Sequence, residues 1–184
     1  MVHRIRRVVT GHDGNGKSIF LEDRKAPNVL EMASMPGVAL TDLWRTSSSP
    51  ASNRGKKDAA SGKIKLEPPA SGTILRIVEF PPDKRKTADA GKAFASIGAH
   101  GAPDCASGDA MMHATATVDY IIVLKGEIWA IMDKGEKLLK AGDVLIQRGT
   151  NHSWSVRGKE PCVIAAVLIG AEPVGRLARK KKHS

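Results

Sequence analysis

From Gly108 to Gly126 the chain reads GDAMMHATATVDYIIVLKG, and from Gly142 to Trp154 it reads GDVLIQRGTNHSW. The first stretch contains a β-branched, apolar run, Tyr120 to Leu124, that ends two residues before a glycine. That is the pattern of a strand running into a turn. His113, Thr115, Thr117 and Asp119 share parity, so an extended chain shows all four on one face. A straight strand would still hold His113 and Asp119 roughly 20 Å apart, at about 3.3 Å per residue. Ligands of one metal ion each approach it to about 2 Å. If both residues bind one ion, the chain must therefore bend near Thr115 to Val118.

Working outward, the same period of two recurs on both sides. Downstream it marks Glu127 to Met132, Lys137 to Leu139, Val144 to Gln147, Ser153 to Arg157 and Cys162 to Ile169. Short links carrying Gly126, Gly135, Gly142, Gly149 and Gly158 join these runs. That cadence belongs to an antiparallel barrel or sandwich, not to alternating strands and helices. Upstream, strands are expected at Ile5 to Val9, Ser18 to Glu22, Val38 to Trp44 and Thr73 to Phe80. Between the first two, Asp13-Gly14-Asn15-Gly16 is hairpin-turn chemistry, because Gly and Asn tolerate positive φ. Ser47 to Ser71, rich in Ser, Lys, Gly and Pro, reads as a long exposed loop. Pro81 to Ala110 reads as a loop or short helix over a pocket mouth. The expected organisation is flanking strands and loop over 1–82, a loop or lid over 83–110, a barrel core over 111–175 and a basic tail over 176–184.

Gly11 to Ser18 (GHDGNGKS) matches G-x-x-x-x-G-K-[ST], the phosphate-binding loop. That motif requires a helix starting at the lysine, whose N-terminal amides face the phosphates. Here Pro27 ends the following run early, and no parallel-sheet alternation accompanies it. The segment is read as a hairpin turn.

The paired motifs resemble the cupin superfamily. In its first motif two His stand one residue apart, followed by an acidic residue and then a Gly. His113, Thr115, Asp119 and Gly126 fall at those offsets, with Thr115 at the second His and Asp119 in place of Glu. Its second motif runs from Gly-Asp to Pro-x-Gly-x-x-His. Gly142-Asp143 and Gln147 to His152 match it, with Gln147 in place of Pro. The N-terminal hairpin, Leu43-Trp44-Arg45 and Pro81-Pro82 further resemble single-domain, cupin 2-type proteins. The fold this implies is all-β, a double-stranded β-helix or jelly-roll barrel with extra N-terminal strands. The resemblance also implies a metal site on His113, Asp119 and His152, holding one divalent transition metal (Fe, Zn, Mn or Ni). Thr115, Thr117, Tyr120, Gln147 and Trp154 are further pocket candidates. The expected function is a metal-binding cupin acting on a small organic molecule, as a lyase, isomerase or oxygenase. The alternative is a metal-free barrel that binds a small ligand or does acid–base work, with Tyr120 and His152 as acid–base groups.

Composition bounds the rest. Aromatic residues make up 4% of the 184, against 10 Pro and 18 Gly, which suits short strands and many turns. Lys and Arg number 29 against 19 Asp and Glu, a formal charge of +10. Much of that excess sits in RLARKKKH, Arg176 to His183, which reads as a solvated tail rather than a nucleic-acid interface. Exposed aromatics interleaved with cations, which a single-strand binder needs, are lacking. Cys105 and Cys162 have no metal-like spacing and suit a reducing compartment. No run approaches the ~20 apolar residues of a membrane helix, and no signal peptide is visible, so a cytoplasmic protein is expected. A homodimer is expected too, with the N-terminal strands covering otherwise open sheet edges.

Overall fold

The computed structural model describes residues 2–83, 89–99, 109–175, 177 and 178. The Lys84–Lys86 cluster, Cys105 and nearly all of the basic tail lie outside them. Alternation decides which side chains each strand sends inward. In β6 (Thr117–Lys125), Thr117, Asp119, Ile121 and Val123 are buried, while Tyr120 and Leu124 on the other face are exposed. The same logic builds β4 (Ala39–Thr46), β5 (Thr73–Phe80), β7 (Glu127–Met132) and β11 (Cys162–Gly170).

Three sheets result, all with antiparallel pairing. A six-stranded sheet runs in the order β3-β4-β5-β11-β6-β9, with β3 at Val29–Glu31 and β9 at Val144–Arg148. A three-stranded sheet, β10-β7-β8, faces it, with β8 at Glu136–Lys140 and β10 at His152–Ser155. A separate two-stranded hairpin joins β1 (Arg6–His12) to β2 (Ser18–Lys25) through the turn at Asp13 to Gly16. This is a jelly-roll barrel with extra N-terminal strands. The GHDGNGKS segment closes that hairpin instead of opening a helix. The barrel sheet draws on 29–80 as well as on 111–175, because β3, β4 and β5 hydrogen-bond into the same sheet as β11.

Strand bounds at Thr73–Phe80 and Glu127–Met132 coincide with the sequence reading. Three-residue β3 has too little alternation to be read from sequence. The segment 47–71 is not uniformly exposed: Ala60 and Ile64 are buried, at 0% and 5% exposure. Within 81–110 a short helix forms, α1 (Ala90–Ser96), capped by the Asp89 carboxylate accepting from the Lys92 amide.

One core gathers around Ile74, Val123, Ile128, Val156 and Ile164. Full burial of such side chains contributes about 1.5–3 kcal/mol each. A second cluster joins Met32, Met35, Val38 and Leu40 to Phe94 and Ile97 of α1 and its cap. The space between the two clusters is the pocket. At Gly126 the chain leaves the six-stranded sheet and enters the three-stranded one. Its φ is +75°, and an added Cβ would lie 2.6 Å from the Pro161 carbonyl oxygen. Gly126→Ala should therefore cost about 2 kcal/mol or more, from left-handed strain and displaced backbone. A denaturant-unfolding loss under ~0.5 kcal/mol would contradict this account of the turn.

Candidate functional site

The first-motif and second-motif histidines meet as cross-strand neighbours. His113 N–H donates to the His152 carbonyl and His152 N–H to that of His113, both at 2.9 Å. Asp109 ties the two motifs together from outside the pair. Its carboxylate accepts from the Met111 amide at 2.8 Å and from the Ser153 hydroxyl at 2.5 Å. Residue 113 thus pairs with the end of the three-stranded sheet, whereas 117–125 belong to the six-stranded one. The bend between them falls at 114–116.

The two rings lie with centroids 4.2 Å apart. Each Nδ1 faces a backbone carbonyl two residues back, His113 toward Met111 and His152 toward Thr150, both at 2.9 Å. A carbonyl only accepts, so each Nδ1 carries the proton and each Nε2 of the neutral ring is the lone-pair atom. Burial, reinforced by His113 nearby, pushes the His152 pKa down to about 3. His152 is therefore uncharged at neutral pH.

Asp119 enters from β6 with 3% exposure. The Gln147 side-chain amide stands between it and His152. Its nitrogen donates to Asp119 Oδ2 at 2.8 Å and lies 3.2 Å from His152 Nε2. The reverse amide orientation would set an oxygen against two acceptors. Gln147 Oε1 and Asp119 Oδ1 are both buried without a hydrogen-bond partner. Burial raises the Asp119 pKa; the Thr117 hydroxyl and the Gln147 amide oppose that rise, and the nearby Glu67 adds to it.

The pocket measures about 140 Å³, and its wall includes His113, Thr115, Asp119, Gln147, His152 and Trp154. Thr117 is buried behind that wall, its hydroxyl 2.7 Å from that of Thr115. Tyr120 lies on the outer face of β6, 42% exposed, away from the pocket. Apolar side chains, among them Met35, Leu40, Phe94 and Ile97, form the opposite wall. Sequence reading missed Arg76, which lines the pocket from β5. In TILRIVEF it shares parity with Ile74 and Val78, a cation on an otherwise apolar strand face. That was the available signal.

The imidazole tautomers suit a metal ligand, since the other ring nitrogen is held by a carbonyl. The carboxylate does not join them. Gln147 holds Asp119 apart from His152, and among the described residues no three His, Cys, Asp or Glu side chains gather closely enough to hold a metal ion. As arranged, these residues do not complete a three-ligand site.

The structure is thus an antiparallel jelly roll with the two motif histidines paired inside. Comparison with known proteins agrees. "Phomopsin biosynthesis cluster protein C'" of Diaporthe leptostromiformis is 32% identical over 158 residues, covering 82% of this chain and 70% of that protein. "Cupin-domain-containing oxidoreductase virC" of Hypocrea virens is 26% identical over 180 residues, 94% of this chain and 79% of its own. A cupin-2 domain protein of Rhodospirillum rubrum superposes with a TM-score of 0.43 at 12% identity, covering 85% of this chain and 82% of its own. No family model matches the chain. The chain belongs to the cupin superfamily. No helix among the described residues is long and apolar enough to cross a membrane.

The Asp119 carboxyl has a pH signature. Because its folded pKa lies above the ordinary 3.8, the folded state binds this proton more tightly than the unfolded chain does. Its ionisation then costs stability, increasingly so as pH rises from 3.8 through the folded value. Asp119→Asn should melt higher than the parent at pH 7, with the gap closing in acid. Each ~1 kcal/mol of relief corresponds to about 2–4 °C for a chain this size. A variant equally destabilised at all pH values would contradict the burial argument.

Proposed function

We propose that this chain is a cupin enzyme acting on a small organic molecule with an apolar body, and that its own residues carry out a proton transfer in the barrel pocket. The observation that carries this reading is the Asp119 carboxyl, buried, raised in pKa and with one oxygen unpartnered. A carboxyl in such surroundings holds its proton toward the pH at which enzymes work, as a general acid–base group must. Gln147 fixes its orientation through Oδ2, and Asp119 forms part of the pocket wall. The neutral His152 serves as a hydrogen-bond acceptor and not as a cationic acid. The apolar wall formed by Met35, Leu40, Phe94 and Ile97 takes the body of the molecule and excludes water from around the carboxyl.

The curated relatives named as oxidoreductases bring oxidation into view. Removal of a proton from carbon is a step that oxidation of a carbonyl compound shares with isomerisation and with loss of water. It is the step these side chains support.

In D₂O, the protein should exchange α-carbon protons of small phenylalkyl ketones such as 4-phenylbutan-2-one faster than buffer does. Asp119→Asn should slow that exchange by about 10²-fold or more. Wild-type exchange no faster than buffer, with the ketone bound, would sink the reading. Elemental mass spectrometry on untagged protein should find far less than one metal ion per chain, with a melting temperature indifferent to chelator. About one equivalent of iron, zinc, manganese or nickel, lost in His113→Ala and His152→Ala, would establish instead the metal site on His113, Asp119 and His152.

A further inference from the structure

We infer that Arg76 is the anchor for a carboxylate, so that the molecule bound in the pocket is a small, apolar-bodied carboxylic acid. This rests on the pocket reading above and names the class of its occupant.

Arg76 is 2% exposed, yet it forms part of the pocket wall. Its guanidinium has five N–H groups in a fixed fork. Nε donates to Asp42 Oδ1 at 2.6 Å, and Nη2 donates to Asp42 Oδ2 at 3.3 Å and to the Lys65 carbonyl at 2.6 Å. Those bonds hold the fork from behind. Nη1 makes no hydrogen bond to a described residue, and it is not among the sealed, unpartnered atoms of the interior. A guanidinium edge facing an apolar pocket, with two donors unspent, is the geometry that receives a carboxylate.

The local charge favours an anion as well. Asp42, wholly buried, accepts from both Arg45 and Arg76, so one carboxylate faces two guanidinium groups. That trio retains one positive charge. A bulge at Leu43 makes it possible: the register shifts between Asp42 and Trp44, which returns Arg45 to the side of the strand that carries Asp42.

The sheet register sets the separation between anchor and acid. Arg76 pairs with Ala166, which pairs with Ile121, while Asp119 lies one inward step further along β6. Two strand spacings and two residues put the Arg76 and Asp119 backbones roughly 12 Å apart. The intervening Ala166 is small and leaves that span open. A carboxylic acid seated on Arg76 thus lays its body across Ala166 and brings a carbon several bonds from the carboxylate toward Asp119.

The test measures binding by the full-length chain of a short series of carboxylates, 3-phenylpropanoate and hexanoate among them, each beside its primary amide. Carboxylates should bind at least about tenfold tighter than their amides, the gain of one charge-assisted pair. Arg76→Lys should lose most of that preference, because an ammonium cannot hold Asp42 and the Lys65 carbonyl as the guanidinium does and still turn a donor to the pocket. Since Arg76→Gln alone would leave the buried Asp42 with Arg45 as its one ionic partner, the double variant Asp42→Asn, Arg76→Gln removes the anchor and its counter-charge together and keeps the net charge of the trio at +1, its fold checked by thermal melting. It should bind acid and amide alike. Equal affinity of wild-type protein for both, or an undiminished preference in the folded double variant, would overturn the anchor while leaving the pocket reading intact. No binding of any acid or amide would overturn both.

Discussion

The pair of backbone hydrogen bonds exchanged by His113 and His152 is the constraint on which the interior depends. It clamps the chain at the last residue that belongs with the three-stranded sheet, just before β6 joins the six-stranded one. The bend at 114–116 then turns Thr115 and Asp119 toward the same cavity as the two rings. Without that clamp, parity alone would line the four side chains along one strand, spread over most of its length. The rings are also fixed by the carbonyls that hold their Nδ1 protons. Position and tautomer of the imidazoles follow from backbone groups, independently of any occupant, while the neutrality of His152 follows from its burial.

The pocket has two polar ends of opposite character. One end collects lone pairs: two imidazole nitrogens, a carboxyl oxygen and an amide oxygen. The other end is a guanidinium held by a buried carboxylate. Apolar side chains from β4, α1 and the segments beside them lie between. In such surroundings an unpaired charge is costly, and breaking a buried ion pair costs about 3–5 kcal/mol. Asp42 and Arg76 therefore stabilise one another whatever enters the cavity, and their position is set before a ligand arrives.

Much of this was legible in the chain. Glycines at strand ends and period-two or continuous apolar runs marked most of the strands, because such runs and turn chemistry are local properties. The motif spacing identified the histidines, Asp119 and Gln147, since their separation in sequence is fixed by the strands between them. The position of Gln147 between Asp119 and His152 was not legible. It depends on β9 pairing with β6 in one register, which places Gln147 opposite Asp119. Arg76 was hidden for a similar reason: its partners Asp42 and Lys65 are distant in sequence, and a cation in a strand reads as solvent-facing. The bulge at Leu43 broke the alternation of β4, so Asp42 gave no signal either.

The segment linking β4 to β5 has a further consequence, in terms of chain entropy. It is fastened at several points: Asp58 by the buried Arg7, Ala60 by the Asn28 amide, Lys65 by Arg76, and Leu66 by the Ile97 carbonyl. A long loop closed only at its ends would keep many conformations, and closure entropy grows slowly with length. Fastened this way, it becomes one free arc over 47–57 and a laced strip over 58–66. The strip shares its cluster with Phe94 and Met32 through Ile64. Any widening of the barrel mouth must therefore be borne by the strip and α1 together, so that wall of the pocket yields as one hinged plate rather than residue by residue.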